Sequence, residues 1–524
     1  MARSPLFQEL ERVLRLAAWS ENNGASSGEA IERREAARWD RRRFLRTAVA
    51  AAAAAGVTPV FKSAARGPHS PRIIIVGAGT AGLLCAYRLQ QQGVEARVIE
   101  ASTRAGGRMF SLRKFFPDDQ LTELGGEYID SGHRTMRGLV KELGLTLNDL
   151  GSEEEPEGAH AFFFDNRLLP VDGSFIDVFR PVAKAIANDL KQMKVRGEIS
   201  YDTPHAKATD RLSIPEWFEK RRINGLATKI LRAAYVGEYG LEIDQQSALN
   251  LLLTMGDETP GDEFRIFGPS DERFHIAEGN DSVPTRLAER LKNPVEFGTR
   301  LEALTSDGNG FTLALRRDNA ANEAKADIVV LALPFTILRQ LDVRVKLPDA
   351  KRKAIQELGY GTNAKLIAGF SRRVWEESES TGYTFTDLEF QCCWETSRGQ
   401  SGSHAILTNF AGGNLGQHLN EGEMEARAAT FASQVERIYP GTLAAFTKKA
   451  VRQHWPSSPF ALGSYTCYRP GQYSTLADSV AAPFGNLFFA GEHTSAEFNG
   501  YMEGAAESGE RAAKEVLAKV GRGR

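Results

Sequence analysis

The chain has 524 residues, 42% hydrophobic and 25% charged, with a formal net charge of −2. That length and apolar content suffice for a large core and predict two domains, while the near-neutral balance excludes the basic signature of a nucleic-acid partner. Cys85, Cys392, Cys393 and Cys467 form no C-x-x-C pair and the histidines form no H-E-x-x-H motif, so the cysteines read as buried small hydrophobes and no metal site is expected.

The first segment, residues 1–70, differs from the rest. "DRRRFLRTAVAAAAAAGVTPV" (40–60) carries consecutive arginines, a Phe-Leu pair and an apolar run, followed by "KSAARG". This resembles a twin-arginine export signal and predicts a periplasmic or exported protein whose mature chain starts near Ala65. The apolar run is too short and too alanine-rich for a stable membrane span. The alternative is an exposed basic helix of a cytoplasmic protein, because "LFQELERVLRLAAW" upstream has an amphipathic period of its own.

From Ile73 to Val76 a short β-branched run meets Gly77, Gly79 and Gly82 in the spacing G-x-G-x-x-G. A buried parallel strand turning into a helix is predicted, with Gly77 for the tight turn, Gly79 for close approach of the backbone to a pyrophosphate and Gly82 for helix–strand packing. After a helix from Leu83 to about Gln92, "EARVIE" reads as the second strand and ends on Glu100, placed to accept hydrogen bonds from an adenosine ribose. "ELGGEYID" (123–130) and a helix-rich stretch containing "LSIPEWFEKR" and "LRAAYVGEYGLEIDQQSALNLLL" follow. Residues 294–334 alternate as antiparallel strands around the turn "DGNG" and end in the buried run Ile328 to Leu333. A strand-rich block (361–412) precedes a helix at 420–438, and "NLFFAG" then repeats the strand-to-helix pattern ahead of "YMEGAAESGERAAKEVL", whose small residues are expected to face the sheet. Only one complete dinucleotide fingerprint is present, which argues against a separate nicotinamide domain. An α/β fold results, with a Rossmann-like nucleotide domain built from 71–150, 276–335 and 456–524 and an α+β substrate domain built from 151–275 and 336–455.

Together "VGAGTAGLLCAYRL", "VIEAS", "GGRM", "ELGGEY", the lysine of "NAKLIAGFSRRVWEE" and "LFFAGEHTS…NGYMEGAAESGERAA" resemble the flavin-dependent amine oxidase superfamily, which includes monoamine, polyamine and L-amino-acid oxidases. The resemblance runs from about Arg72 to Val516 and implies FAD. Carried over by motif, Gly107 and Arg108 of GGRM approach the FAD phosphates, and Gly125, Gly126 and Tyr128 lie near the flavin. Val295 resembles the residue whose backbone pairs with adenine; Gly491, Glu492, Gly500, Tyr501 and Met502 resemble the groups holding the pyrophosphate and the pyrimidine edge of the flavin. Lys365, a cation in the apolar strand "AKLIAGF", resembles the lysine that holds a water against flavin N5 and assists reoxidation by O₂. Tyr465 and Tyr501 resemble the two aromatic walls that steer the substrate amine.

Two departures shape the expectations. Ser464 stands where covalent members of the family carry the flavin-linking cysteine, so FAD is expected to be non-covalent. Tyr128 stands where many L-amino-acid oxidases carry the arginine that clamps the substrate carboxylate. The expected activity is oxidative deamination of L-amino acids to 2-oxo acids with release of ammonia and hydrogen peroxide, with Tyr128, Trp394 and Tyr465 as the substrate pocket. The alternatives are a monoamine or polyamine oxidase acting on primary amines, which the Tyr465–Tyr501 pair favours, and a flavin dehydrogenase passing electrons to an acceptor other than oxygen. The expected partners are a small-molecule amine or amino acid and O₂, with a homodimer as the assembly.

Overall fold

The computed structural model describes residues 71–150, 159–255 and 272–522, together with Ala17 and Ser26. The arginine run and apolar segment at 40–60 lie outside the described residues. Among the described residues, no helix is long and apolar enough to cross a membrane.

Four parallel strands form the nucleotide-side sheet, in the order Arg97–Ile99, Ile73–Val76, Ile328–Leu331, Leu487–Phe489. Their registers pair Ile74 with Arg97, Ile73 with Ile328 and Val329 with Leu487. Three of these strands are unbroken apolar runs, as expected of a parallel sheet covered on both faces. Helix Thr80–Gln91 follows the first strand directly, and the long C-terminal helix Met502–Arg522 packs against it. The small residues of that last helix do more than face the sheet. A β-carbon on Gly509 would stand 2.5 Å from the Ala81 carbonyl oxygen, so glycine there lets the two helices approach backbone to backbone.

The antiparallel pair around "DGNG" forms as Thr299–Ser306 and Phe311–Arg317, closing at Ser306 opposite Phe311. A seven-stranded mixed sheet makes the other layer, ordered Phe446–His454, Ala364–Phe370, Ala405–Ala411, Cys392–Glu395, Ser380–Thr386, Ala159–Phe164, Arg167–Leu169. Ala364–Phe370 is buried along its whole length and pairs on both sides, with Lys365 opposite Phe410 and Gln453. Helices cover this sheet. Ile214–Arg221 starts on a capping box in which Glu216 Oε2 accepts from the Ser213 backbone N–H at 2.7 Å. Asp189, buried on helix Gly173–Met193, ties that helix down by accepting from Trp217 Nε1 at 2.7 Å and pairing with Arg221.

Candidate active site

A cleft of about 540 Å³ opens at the carboxyl ends of the parallel strands and runs from Glu100 to Tyr465 and Tyr501. Its first wall is the glycine turn. Gly77 sits at φ +106°, and a β-carbon there would stand 2.6 Å from the Ala332 carbonyl oxygen, so only glycine makes this turn without strain. Gly82 must also be small: its β-carbon would reach 2.0 Å from the Gly77 carbonyl oxygen. Gly79 instead has nothing within 4 Å in that direction and faces open cleft. The loop therefore leaves space where a diphosphate can meet backbone N–H groups at a helix N-terminus.

Glu100 lies just beyond the second strand. Its Oε2 accepts from the Ala78 N–H at 2.7 Å and its Oε1 from the Ser102 N–H at 2.8 Å. Each oxygen keeps a second lone pair for a ribose hydroxyl, and the residue lines the cleft. Gly107 and Arg108 line it further along. Arg108 Nη1 donates to the Ser464 carbonyl at 2.7 Å and to Glu492 Oε1 at 2.9 Å. Glu492 is thereby turned toward the protein: its Oε2 accepts from Thr466 Oγ1 at 3.0 Å and from the Gly500 N–H at 2.7 Å. Burial opposes its ionisation, but Arg108 and the Gly500 N–H outweigh that and hold the carboxyl below its usual range. Its part is to orient Arg108 and the Gly500 turn.

Gly126, Gly491, Gly500, Tyr501 and Met502 also line the cleft, and the ideal β-carbon of Gly126 would meet Met502 Cγ at 2.8 Å. Gly125, Tyr128 and Lys365 lie behind the wall rather than in it, as does Trp394. Val295 is not among the residues lining the cleft. The cleft is lined by Thr299, Arg300 and Leu301, while Val295 packs against the apolar cluster beneath the parallel sheet. Glu296 continues that sheet, bridging in parallel to Ile99.

Tyr465 and Tyr501 line both this cleft and a second cavity of about 40 Å³ that also touches Glu238, Tyr239 and Glu497. The Tyr465 hydroxyl donates to the Glu238 carbonyl, and burial pushes its pKa well above the ordinary phenol value. Tyr501 packs edge-on to His133, ring centroids 5.4 Å apart. Both phenols are held as fixed walls. Ser464 Oγ is committed to Asn363 Oδ1 at 2.6 Å, and no cysteine is among the cleft-lining residues. Cys85, Cys392, Cys393 and Cys467 are free and buried, with burial raising each thiol pKa.

Two groups of residues escaped the sequence reading. Lys365 Nζ donates to the Glu123 carbonyl at 2.9 Å, to the Gly125 carbonyl at 3.0 Å and to Glu127 Oε2 at 2.6 Å. Glu127 Oε1 in turn accepts from Trp394 Nε1 at 2.9 Å and from the Thr396 hydroxyl. A lysine in an apolar strand calls for a buried counter-charge, but which acid supplies it is decided by the fold; here it is the glutamate of "GGEY". The second group lies behind Tyr128. Tyr383 is near enough to Tyr128 to perturb its phenol, and Arg398 is near enough to Tyr383 to favour ionisation of that one. Burial raises both phenols, Tyr128 well above the usual value and Tyr383 to about 12 against the opposing pull of Arg398, so both stay protonated at neutral pH.

The cleft fits FAD on three counts: a paired acceptor at the ribose end, an open glycine cradle backed by a helix N-terminus, and an arginine fixed midway. Known proteins agree. The chain is 24% identical to the flavin-containing amine oxidase A of Sus scrofa over 87% of this chain and 86% of that protein. It is 23% identical to an L-amino acid oxidase of Bothriechis schlegelii over 85% of this chain and 89% of that protein. Among solved structures, cyclohexylamine oxidase from Brevibacterium oxydans superposes with a TM-score of 0.76 at 19% identity, covering 86% of this chain and 100% of that one. The family model for flavin containing amine oxidoreductases matches residues 80–517, and with the FAD-shaped cleft this places the chain in that family as a flavin-dependent oxidoreductase.

Proposed function

We propose that the chain catalyses oxidative deamination of L-amino acids to 2-oxo acids. The observation that supports the substrate class is the Arg398 guanidinium near Tyr383, the phenol beside Tyr128. With tyrosine at position 128, an amino-acid substrate needs another cation for its carboxylate, and Arg398 is the guanidinium near the Tyr128–Tyr383 pair. Tyr465 and Tyr501, fixed by the Glu238 carbonyl and by His133, steer the amino group and keep bulk water from it. The chemistry that bound FAD supplies is acceptance of the α-hydrogen as hydride. The resulting imino acid leaves and is hydrolysed by water to the oxo acid and ammonia, which needs no side-chain base if the amine arrives unprotonated.

A second reading, oxidation of primary amines, draws support from Glu238 and Glu497 in the small cavity beside the tyrosine pair, since two acids there suit a cationic substrate. Anaerobic bleaching of the flavin by each of the twenty L-amino acids, tyramine, putrescine and benzylamine separates the two. L-Amino acids are expected to bleach it, and Arg398→Met should raise their apparent KM at least ten-fold. Bleaching by amines alone refutes the amino-acid reading.

A further inference from the structure

The small cavity beside the tyrosine pair has a composition of its own. Among the described residues, its lining holds two acids, Glu238 and Glu497, and five tyrosines, including Tyr239, Tyr473 and the pair Tyr465 and Tyr501. No lysine, arginine or histidine is among the described residues that line it. Three of the phenol hydroxyls are engaged by the protein. Tyr239 is bonded to Thr254 Oγ1 at 2.6 Å, Tyr473 donates to Asn250 Oδ1 at 2.9 Å, and Tyr465 donates to the Glu238 backbone carbonyl. What these residues add to the cavity is aromatic ring, and rings beside carboxylates favour a cation. The Glu238 carboxylate is not the group that takes the Tyr465 proton donor. After burial, its charge is the largest influence raising that phenol, which sets it close to the wall where the reacting nitrogen stands.

Size and position narrow the occupant. At about 40 Å³ the cavity admits about three water-sized groups at roughly 10–15 Å³ each, enough for an ammonium and one or two methylenes and too little for a ring. It shares Tyr465, Gly500 and Tyr501 with the large cleft, so a substrate whose reacting nitrogen stands at the tyrosine pair can extend its other end into it. Glu238 is half-buried near the end of helix Leu226–Tyr239, whereas Glu497 is exposed on the loop that leads to Tyr501. A half-buried carboxylate attracts a cation more strongly than one surrounded by bulk water.

We propose that this cavity is a subsite for a second, compact cation of the substrate, held by Glu238 and Glu497, so that the preferred L-amino acids are those whose unbranched side chain ends in an ammonium group. One nitrogen is oxidised beside Tyr465 and Tyr501, and the other stays charged and unreacted between the acids. Glu238 carries most of the preference. Glu497 acts from the exposed side, where salt screens it. The inference rests on the proposed oxidation of an amine nitrogen beside the tyrosine pair, and its test separates the failure of one from the failure of the other.

In an anaerobic stopped-flow experiment the holoenzyme is mixed with L-lysine or with L-2-aminoheptanoic acid, which has a methyl group in place of the ammonium, each over a range of concentrations. Wild type is expected to show an apparent Kd lower for lysine by about ten-fold or more, the scale of a hydrogen bond to a charged group. Glu238→Gln should remove most of that preference, raising the Kd of lysine far more than that of the neutral analogue and acting on Kd more than on the limiting rate of flavin reduction. The substitution keeps the backbone carbonyl that holds Tyr465. Glu497→Gln should give a smaller loss that shrinks at high salt. α-Methyl-L-lysine has no α-hydrogen to give up, so calorimetric titration of the oxidised holoenzyme with it reads the same contact without turnover; its Kd should also rise about ten-fold or more in Glu238→Gln. Equal wild-type affinity for lysine and its neutral analogue overturns the subsite, as do equal losses for both in Glu238→Gln. Reduction by amines alone overturns the amino-acid reading, and putrescine against pentylamine then decides the subsite by the same preference. No reduction by any amine or amino acid overturns the proposed function, while the titration still decides the subsite.

Discussion

Replacing Glu100 by alanine tests the nucleotide end of the cleft. The carboxylate accepts two backbone hydrogen bonds, from Ala78 at 2.7 Å and Ser102 at 2.8 Å, and lines the cleft with lone pairs to spare. Two consequences follow and can be separated. Losing the backbone bonds loosens the glycine turn even without cofactor. Losing the acceptor for the ribose hydroxyls weakens FAD by about 1.5–3 kcal/mol, the scale of hydrogen bonds to a charged group. That corresponds to a Kd increase of roughly 10- to 150-fold, at about 1.4 kcal/mol per factor of ten. The assay is titration of apoprotein with FAD, followed by quenching of flavin fluorescence, with FMN as control because it lacks the adenosine ribose. Glu100→Gln keeps the shape but turns an amide N–H toward one of the two backbone donors, so it should fall between wild type and alanine. An unchanged FAD affinity in Glu100→Ala, or an equal loss for FMN, refutes the ribose assignment.

Two further outcomes are expected. Acid precipitation of the holoenzyme should leave the flavin in the supernatant, since Ser464 Oγ is bonded to Asn363 and no cysteine lines the cleft; flavin in the pellet contradicts this. His493 is buried with neither ring nitrogen bonded, and burial pulls its pKa from 6.5 down to about 3. The folded state thus binds fewer protons than the unfolded one, and stability should fall as pH drops from about 6.5 toward about 3, by at most about 5 kcal/mol at about 1.4 kcal/mol per unit. His493→Phe, which keeps the edge-on contact with Phe335, should flatten the Tm-against-pH curve over that range; an unchanged slope in urea or thermal melts removes His493 as the cause.

What was legible in the sequence was what lies close together along the chain. The turn Gly77–Gly82 and the acid at Glu100 are one strand–helix–strand unit, so spacing alone gave their geometry. The hairpin closing at Ser306 and Phe311 was legible for the same reason. The Glu127–Lys365 pair joins residues 238 positions apart, and Tyr128, Tyr383 and Arg398 come near one another from three separate segments. Contacts of that kind depend on how the two sheets are set against each other, which no local pattern encodes.

A second buried lysine shows why the partner, and not the burial, decides what such a cation does. Lys351 donates to the Val480 carbonyl at 2.8 Å and sits 3.9 Å from the centroid of the Phe489 ring. It has a neutral carbonyl and a ring face where Lys365 has a carboxylate, and burial, helped by Arg511, lowers its pKa to about 7. A lysine left in that state gives up its proton near neutrality, so the fold tolerates it by letting it become uncharged. Lys365 is treated differently: a full carboxylate is buried opposite it, at the desolvation cost of a second ion, when a carbonyl would have sufficed to place an amine. That added cost is offset by hydrogen bonds on both oxygens of the carboxylate. The pair is therefore better understood as a rigid strut between the Ala364–Phe370 strand and the GGEY loop, one that sets the loop carrying Gly126 against Met502 at the edge of the cleft.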